Sequence, residues 1–367
     1  MSSLWVCALG VPVHIQAAGK LPPDVVAAWQ DAAIPQPDAD TREHAPVSRV
    51  VVPDELDDLG DSVAISVTLE AIQAVRGTAL MFHACAVALP DGRVVGIVGP
   101  SGRGKTTLAT LLGAQYGYVS DETLAVQADG TVLPYRKPLS IGRRPGQKKT
   151  IAPSELGLRP LPDAPLRLAA LVLLDRRLDA GAPRIEPVTL FDAIGELAPE
   201  TSSLDALPDP LRTLAETIQR TGGVRRLTYA DVDDLDGTID QVLAAGSPGR
   251  EVLETLPVHG SDPAAGNYSR VAAVDALAVD DDILVLADRF VTGLRGLGPV
   301  LWRAADDASE PELVAAALRA VPEAPAGTDV HAVVREALSS LVSSNVLRRG
   351  EDPRGGSPTQ QPHPFRL

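Results

Sequence analysis

The chain has 367 residues, 45% of them apolar, a formal net charge of −15 and two cysteines, Cys7 and Cys85. That length holds more than one domain, and that apolar share can fill a sizeable core. The acidity excludes a nucleic-acid footprint, the cysteine count excludes a disulfide framework and points to a reducing, cytoplasmic setting, and no apolar run approaches the roughly 18 residues of a membrane span.

The start, Met1 to Leu9, lacks the basic region of a signal peptide. Residues 1–60 are rich in proline and aspartate, with a strand-like run at 47–52, and read as a small, irregular N-terminal part of the first domain. Residues 62–76 place Val63, Ile65, Val67, Leu69, Ile72 and Val75 at helical spacing, although the first of these also alternate like a strand. From Leu80 the pattern is β: His83–Leu89, then Pro90-Asp91-Gly92, then Arg93–Val98. Pro-Asp-Gly between two apolar runs predicts a hairpin, so the strand that follows is its second arm.

Residues 99–107 read Gly-Pro-Ser-Gly-Arg-Gly-Lys-Thr-Thr. Gly99, Gly104, Lys105 and Thr106 satisfy the phosphate-loop spacing G-x-x-x-x-G-K-[ST]. Glycines let successive amides curl around an oxyanion. Gly99, Ser101, Gly102, Arg103, Gly104, Lys105, Thr106 and Thr107 are therefore the expected cradle of a nucleotide's phosphates. The lysine reaches the β- and γ-phosphates, and the Thr106 hydroxyl is the expected Mg²⁺ ligand. Thr106–Leu112 follows as a helix closed by Gly113, its positive end toward the same phosphates. Strand, glycine-rich loop and helix are the context this motif needs.

Gly117–Val126 is an apolar strand broken by Asp121 and Glu122, and Ala128-Asp129-Gly130 predicts a second hairpin. Two adjacent carboxylates on an extended strand point to opposite faces, one toward a metal and one toward an acceptor hydroxyl. Of five lysines against 28 arginines, Lys105, Lys137, Lys148 and Lys149 fall in one stretch. That stretch is either a solvated loop or a positive surface for phosphate or an acidic substrate. Lys137, Arg136, Arg143 and Arg144 are its candidate substrate contacts. Further on, Leu168–Leu174 reads as a buried strand, and 211–218 and 236–243 as helices.

His83, the nonamer at 99–107, Ser120-Asp121-Glu122 and Pro134-Tyr135-Arg136-Lys137-Pro138 together resemble the HPr kinase/phosphorylase group, which shares a fold with phosphoenolpyruvate carboxykinase. The resemblance spans about 60–245 and implies an α/β fold with a mixed sheet and an ATP- and Mg²⁺-dependent serine kinase. It implies that Lys105 and Thr106 hold the triphosphate and Mg²⁺, and that Asp121 accepts the proton of the substrate hydroxyl. It further implies that Glu122 binds metal where those kinases usually carry Asp, and that His83 sits against the catalytic carboxylate. The Arg-Gly-Leu-Gly segment of true HPr kinases is missing; Ser140-Ile141-Gly142-Arg143-Arg144 stands there instead. That departure implies a substrate other than HPr.

Residues 246–267 are rich in Gly, Ser and Pro and read as a linker. The domain over 268–349 begins with strands at 271–279 and 283–286. A short helix enters through Gly293-Leu-Arg-Gly-Leu-Gly-Pro-Val-Leu-Trp302, Ser309 and Glu312 form a capping box, and 329–344 is an amphipathic helix. This order is similar to the PqqD-like peptide chaperones. The similarity implies a small α+β, winged-helix-like domain that holds the leader of a ribosomally made precursor peptide as an added strand. The tail, 350–367, reads as disordered. The combined expectation is a cytoplasmic precursor-peptide kinase, possible as a homo-oligomer, without nucleic-acid or membrane partners. A kinase of a small molecule such as free serine, and a nucleotide-sensing binding protein, are the alternatives.

Overall fold

The computed structural model describes residues 3–17, 19–38, 48–52, 59–142, 149–235, 237–244, 251–321 and 329–351. Arg143, Arg144, Lys148 and nearly all of the expected tail lie outside them. The chain divides into two units, Met1–Glu251 and Val252–Leu367.

The first unit opens with β1 (Ser3–Ala8), β2 (Val11–Ala17), α1 (Pro23–Ala28), β3 (Ser48–Val52) and α2 (Leu59–Val75). The N-terminal segment is thus more regular than expected. Leu4, Val6 and Ala8 alternate inward, as do Val11, Val13 and Ile15, and β2 pairs antiparallel with β1 and parallel with β3. Helical spacing prevails in α2, whose Val63, Val67 and Ala71 pack with Trp29 and Tyr135 in one core cluster.

The chain continues through β4 (Ala79–Ala88), β5 (Arg93–Val98), α3 (Lys105–Gly113), β6 (Gly117–Ser120), β7 (Thr123–Gln127) and β8 (Val132–Leu133). After β9 (Leu139–Ile141) and β10 (Lys149–Ile151) come β11 (Arg167–Arg176), β12 (Arg184–Val188), α4 (Leu190–Leu197), β13 (Thr201–Ser202), α5 (Pro210–Arg220), β14 (Val224–Tyr229) and α6 (Thr238–Ala244). The main sheet runs β12-β14-β11-β5-β4-β7-β8, with β6 and β13 also on β4. Strand β11 is parallel to both β5 and β14, while β4 is antiparallel to β5. The sheet is therefore mixed, and β5 is the second arm of a hairpin turned at Gly92, whose φ is 87°. Strand β4 pairs with β7 over Ala79–His83 and with β5 over Ala84–Ala88. That exchange of partners lies beside the carboxyl end of β5. A second core cluster, with Ile97, Leu108, Leu112, Val172 and Leu227, holds α3 against the sheet.

The second unit carries β15 (Leu253–Thr255), β16 (Tyr268–Arg270), β17 (Asp275–Val279), β18 (Asp282–Ala287), β19 (Phe290–Leu294), α7 (Gly298–Ala304), α8 (Glu310–Ala320), α9 (Val330–Ser343) and β20 (Leu347–Arg349). Its larger sheet is ordered β15-β17-β18-β19, and β16 pairs with β20. It is an α+β unit whose core gathers Trp302, Leu313, Val334 and Leu338 from its helices against Ile283 and Val285 of β18. The expected linker is in part folded: β15 pairs with β17 through Leu253, Glu254 and Thr255, because three backbone pairings suffice for an edge strand whatever its flanks. Among the described residues no helix is long and apolar enough to cross a membrane.

Candidate functional site

The site forms where β5, β11 and β14 end, on the carboxyl side of the parallel strands, the side on which open α/β sheets bind ligands. Residues 99–104 join β5 to α3 there. Gly102 and Gly104 have φ of 78° and 94°, the left-handed region that glycine enters freely. At Gly99 the reason is space, since a Cβ would stand 3.1 Å from that of Leu174 on β11. No side chain caps the N-terminus of α3, which leaves to a ligand the first amides that lack an intrahelical acceptor, the arrangement of an anion site. Ser101, Gly102 and Arg103 are exposed, and Lys105 and Thr106 half-buried. The Lys105 ammonium folds back onto the carbonyls of Gly99 and, at 3.1 Å, Pro100.

Asp121 comes to this loop from the break between β6 and β7. That break lies opposite the partner exchange of β4, where the Ala84 amide donates to the Glu122 carbonyl at 3.0 Å. Ser120 Oγ accepts from the amides of Glu122 and Thr123, each at 3.2 Å, which holds the bend. The Thr106 hydroxyl donates to Asp121 Oδ2 at 3.0 Å, and the Tyr118 hydroxyl to Asp121 Oδ1 at 3.0 Å. Lys137 Nζ lies 3.5 Å from Asp121 Oδ1 and 2.9 Å from Glu122 Oε2. The Lys137 and Asp121 side chains are 8% and 5% exposed, and that of Glu122 is 50% exposed.

The electrostatics follow from this packing. Burial alone pushes the Lys137 ammonium down, but the charges of Asp121 and Glu122 outweigh it and hold its pKa above 10.5. Burial, then the Asp121 charge, raise the Tyr118 hydroxyl well above its usual range. Burial pushes the Cys85 thiol beneath the site up to about 12; Asp121 adds to this and Lys105 opposes it.

Several expected contacts fall elsewhere. The backbone at Asp121 and Glu122 is bent and not extended, so the alternation of a strand does not apply there, and Lys137 reaches both carboxylates. Lys137 is buried between them and is not a surface contact for substrate. His83 does not touch Asp121: its Nε2 meets Ser202 Oγ at 3.0 Å and its Nδ1 lies 3.9 Å from Glu200. It is exposed and paired with Thr123, on the β7 side of the partner exchange. Arg136 is committed to the scaffold. Its Nη1 donates to the carbonyls of Tyr118 and Arg159, its Nη2 lies 3.7 Å from Asp31, and its guanidinium sits over the Tyr118 ring.

Two residues absent from the sequence expectations stand at the loop. Arg176 and Tyr229, the last residues of β11 and β14, are partners in parallel register. From a Cβ placed on Gly104, Tyr229 Oη would be 3.8 Å and Arg176 Nη1 4.0 Å away. Nothing local in sequence marks them, since register across a parallel pair has no short-range signature.

Among the described residues no cluster of three or more His, Cys, Asp or Glu side chains is placed to hold a metal ion. The donor set fits magnesium in its usual manner, with few protein oxygens and the rest from phosphate and water. Thr106 Oγ1 and Asp121 Oδ2 are 3.0 Å apart, close to the roughly 3.0 Å between neighbouring corners of an octahedron with metal–oxygen bonds of about 2.1 Å.

No model of a known protein family matches this chain, and no curated protein sequence does. A solved structure of the Hpr(Ser) kinase/phosphatase from Coxiella burnetii matches with 14% identity and a TM-score of 0.25, over 44% of this chain and 93% of that one. At that level the match says nothing about what this chain binds.

Proposed function

We propose that this chain is an ATP- and Mg²⁺-dependent kinase that phosphorylates a hydroxyl, that of serine, on a precursor peptide. The observation that carries the reading is the contact of Thr106 with Asp121 behind a glycine-rich loop that presents Lys105 and uncapped helix amides. A cradle for phosphates and a carboxylate on the hydroxyl expected to bind metal are the parts phosphoryl transfer needs. Magnesium, when bound by Thr106 and Asp121, neutralises charge on the phosphates. Lys105 leaves the loop carbonyls for the β- and γ-phosphates, and the helix amides hold the phosphates in line. The acceptor oxygen bonds to the terminal phosphorus as the bond to the nucleoside diphosphate breaks, and its proton passes to a carboxylate.

In this reading that carboxylate is Glu122, which is half-exposed, while Asp121 is buried on Thr106. This reverses the division that the resemblance implies. Glu122→Gln then lowers transfer with the Mg²⁺ requirement unchanged, and Asp121→Asn raises the Mg²⁺ needed. The opposite pattern returns the proton to Asp121.

The peptide acceptor is supported by the second unit. Strand β19 ends its sheet, and Phe290 on it is 77% exposed. Such an edge can take an extended peptide as a further strand, and a tether raises the peptide's concentration near the kinase whatever the arrangement of the units. The test is mass spectrometry of serine-containing precursor peptides incubated with the full chain, ATP and Mg²⁺. A gain of one phosphate that disappears in Lys105→Ala supports the reading. ATP consumption with free serine and an unmodified peptide would replace the peptide by a small molecule.

A further inference from the structure

We propose that Arg176 and Tyr229 form the far wall of the phosphate site and bind the terminal phosphate of the nucleotide. This rests on the phosphate-site reading above and adds two residues to it.

Arg176 is held without being used up. Its Nε donates to the Ala230 carbonyl at 3.2 Å, and its two terminal amino groups have no partner among the described residues. The neighbouring Arg177 differs, with its Nε on Asp175 at 2.8 Å in a surface ion pair. A guanidinium anchored by one nitrogen, with a planar pair of donors free, is arranged for two oxygens of a phosphate.

Tyr229 supplies the independent observation. It is fully buried, and its hydroxyl has no hydrogen-bond partner among the described residues. Buried polar atoms are seldom left so, and an exception asks for a ligand or another explanation. Burial pushes the Tyr229 hydroxyl up in pKa while the Arg176 charge pulls it down. The net shift is upward, so the group stays a donor at neutral pH. The hydroxyl and Arg176 Nη1 both lie beside Gly104, 3.8 Å and 4.0 Å from where a Cβ would stand. The loop amides serve the inner phosphates and Lys105 reaches the β- and γ-phosphates, so Arg176 adds a second cation on the terminal one from the opposite wall.

The test is calorimetric titration of the intact chain with MgATP and with MgADP. Wild type is expected to bind ATP more tightly than ADP. Arg176→Gln should weaken ATP by roughly ten- to a hundredfold, the range for a hydrogen bond to a charged group, and leave ADP nearly unchanged. Arg177→Gln should change neither. Tyr229→Phe should weaken ATP several-fold without lowering the melting temperature, because it deletes a hydroxyl that has no hydrogen-bond partner among the described residues. A loss in Arg176→Gln shared equally by ADP and ATP, or no loss, overturns the assignment. A lower melting temperature in Tyr229→Phe with ATP binding intact makes that hydroxyl structural and overturns its part. A wild-type chain that binds neither nucleotide refutes the phosphate site itself, an outcome distinct from these.

Discussion

Lys137 is the most exacting test of the site, because it neutralises two carboxylates from a buried position. Lys137→Met keeps the length of the side chain and removes its charge. The Glu122 pair is half in water and contributes at most about 1 kcal/mol. The Asp121 pair is buried on both sides, and breaking such a pair costs about 3–5 kcal/mol. Tyr118 and Thr106 still donate to Asp121 in the variant, which places the loss near the lower end, about 3 kcal/mol. For a unit of this size that lowers the melting temperature by about 6–12 °C, measured by differential scanning calorimetry of the intact chain. Adding Asp121→Asn removes the stranded charge, so the double variant should regain about 2 kcal/mol. The pH dependence has a definite sign. The folded-state pKa of Lys137 is raised above the ordinary 10.5, so its contribution is complete below the unfolded pKa and is lost as pH climbs through the folded one. The gap between wild type and Lys137→Met should be constant up to about pH 10 and close above it. A loss under about 1 kcal/mol, or an Asp121→Asn change that adds to the loss, would refute the buried-pair argument.

Other expectations follow from single contacts. Gly104→Ala forces a left-handed φ of 94° on a side chain, at a cost of about 1–2 kcal/mol, and should weaken ATP binding in the same calorimetric assay. His83→Ala should leave phosphate transfer within about twofold, as surface changes of about 0.5 kcal/mol do; a hundredfold fall would put His83 back beside the reacting groups. Cys85, buried and with its pKa pushed up to about 12, should resist thiol reagents at pH 8 in the native chain and react on unfolding; prompt labelling would show the site open. Phe290→Asp should weaken capture of a precursor peptide, measured by fluorescence anisotropy, with ATP binding unchanged.

The parts of this protein legible in sequence are those whose cause is local. The loop's donors lie within nine consecutive residues, 99–107, so their spacing carries the chemistry. The hairpins at Gly92 and Gly130 follow from turn residues that need positive φ, and both take it. The capping box of Ser309 and Glu312 is a three-residue relation and is formed. The alternation of Val11, Val13 and Ile15 is also local, but the proline- and aspartate-rich composition of 1–60 as a whole points to an irregular segment.

Tertiary structure decided what depends on register and burial. A strand's period says that two neighbouring side chains diverge, yet the bend held by Ser120 lets Asp121 and Glu122 share Lys137. Arg136 and Lys137 look alike in composition; packing ties the first to backbone carbonyls and the second to carboxylates. His83 could be placed near or away from Asp121 only once β4 was seen to exchange partners beside it. Arg176 and Tyr229 meet because β11 and β14 run parallel in one register. Parallel pairing joins segments far apart in the chain through a crossover, and no local spacing encodes which residues then stand side by side.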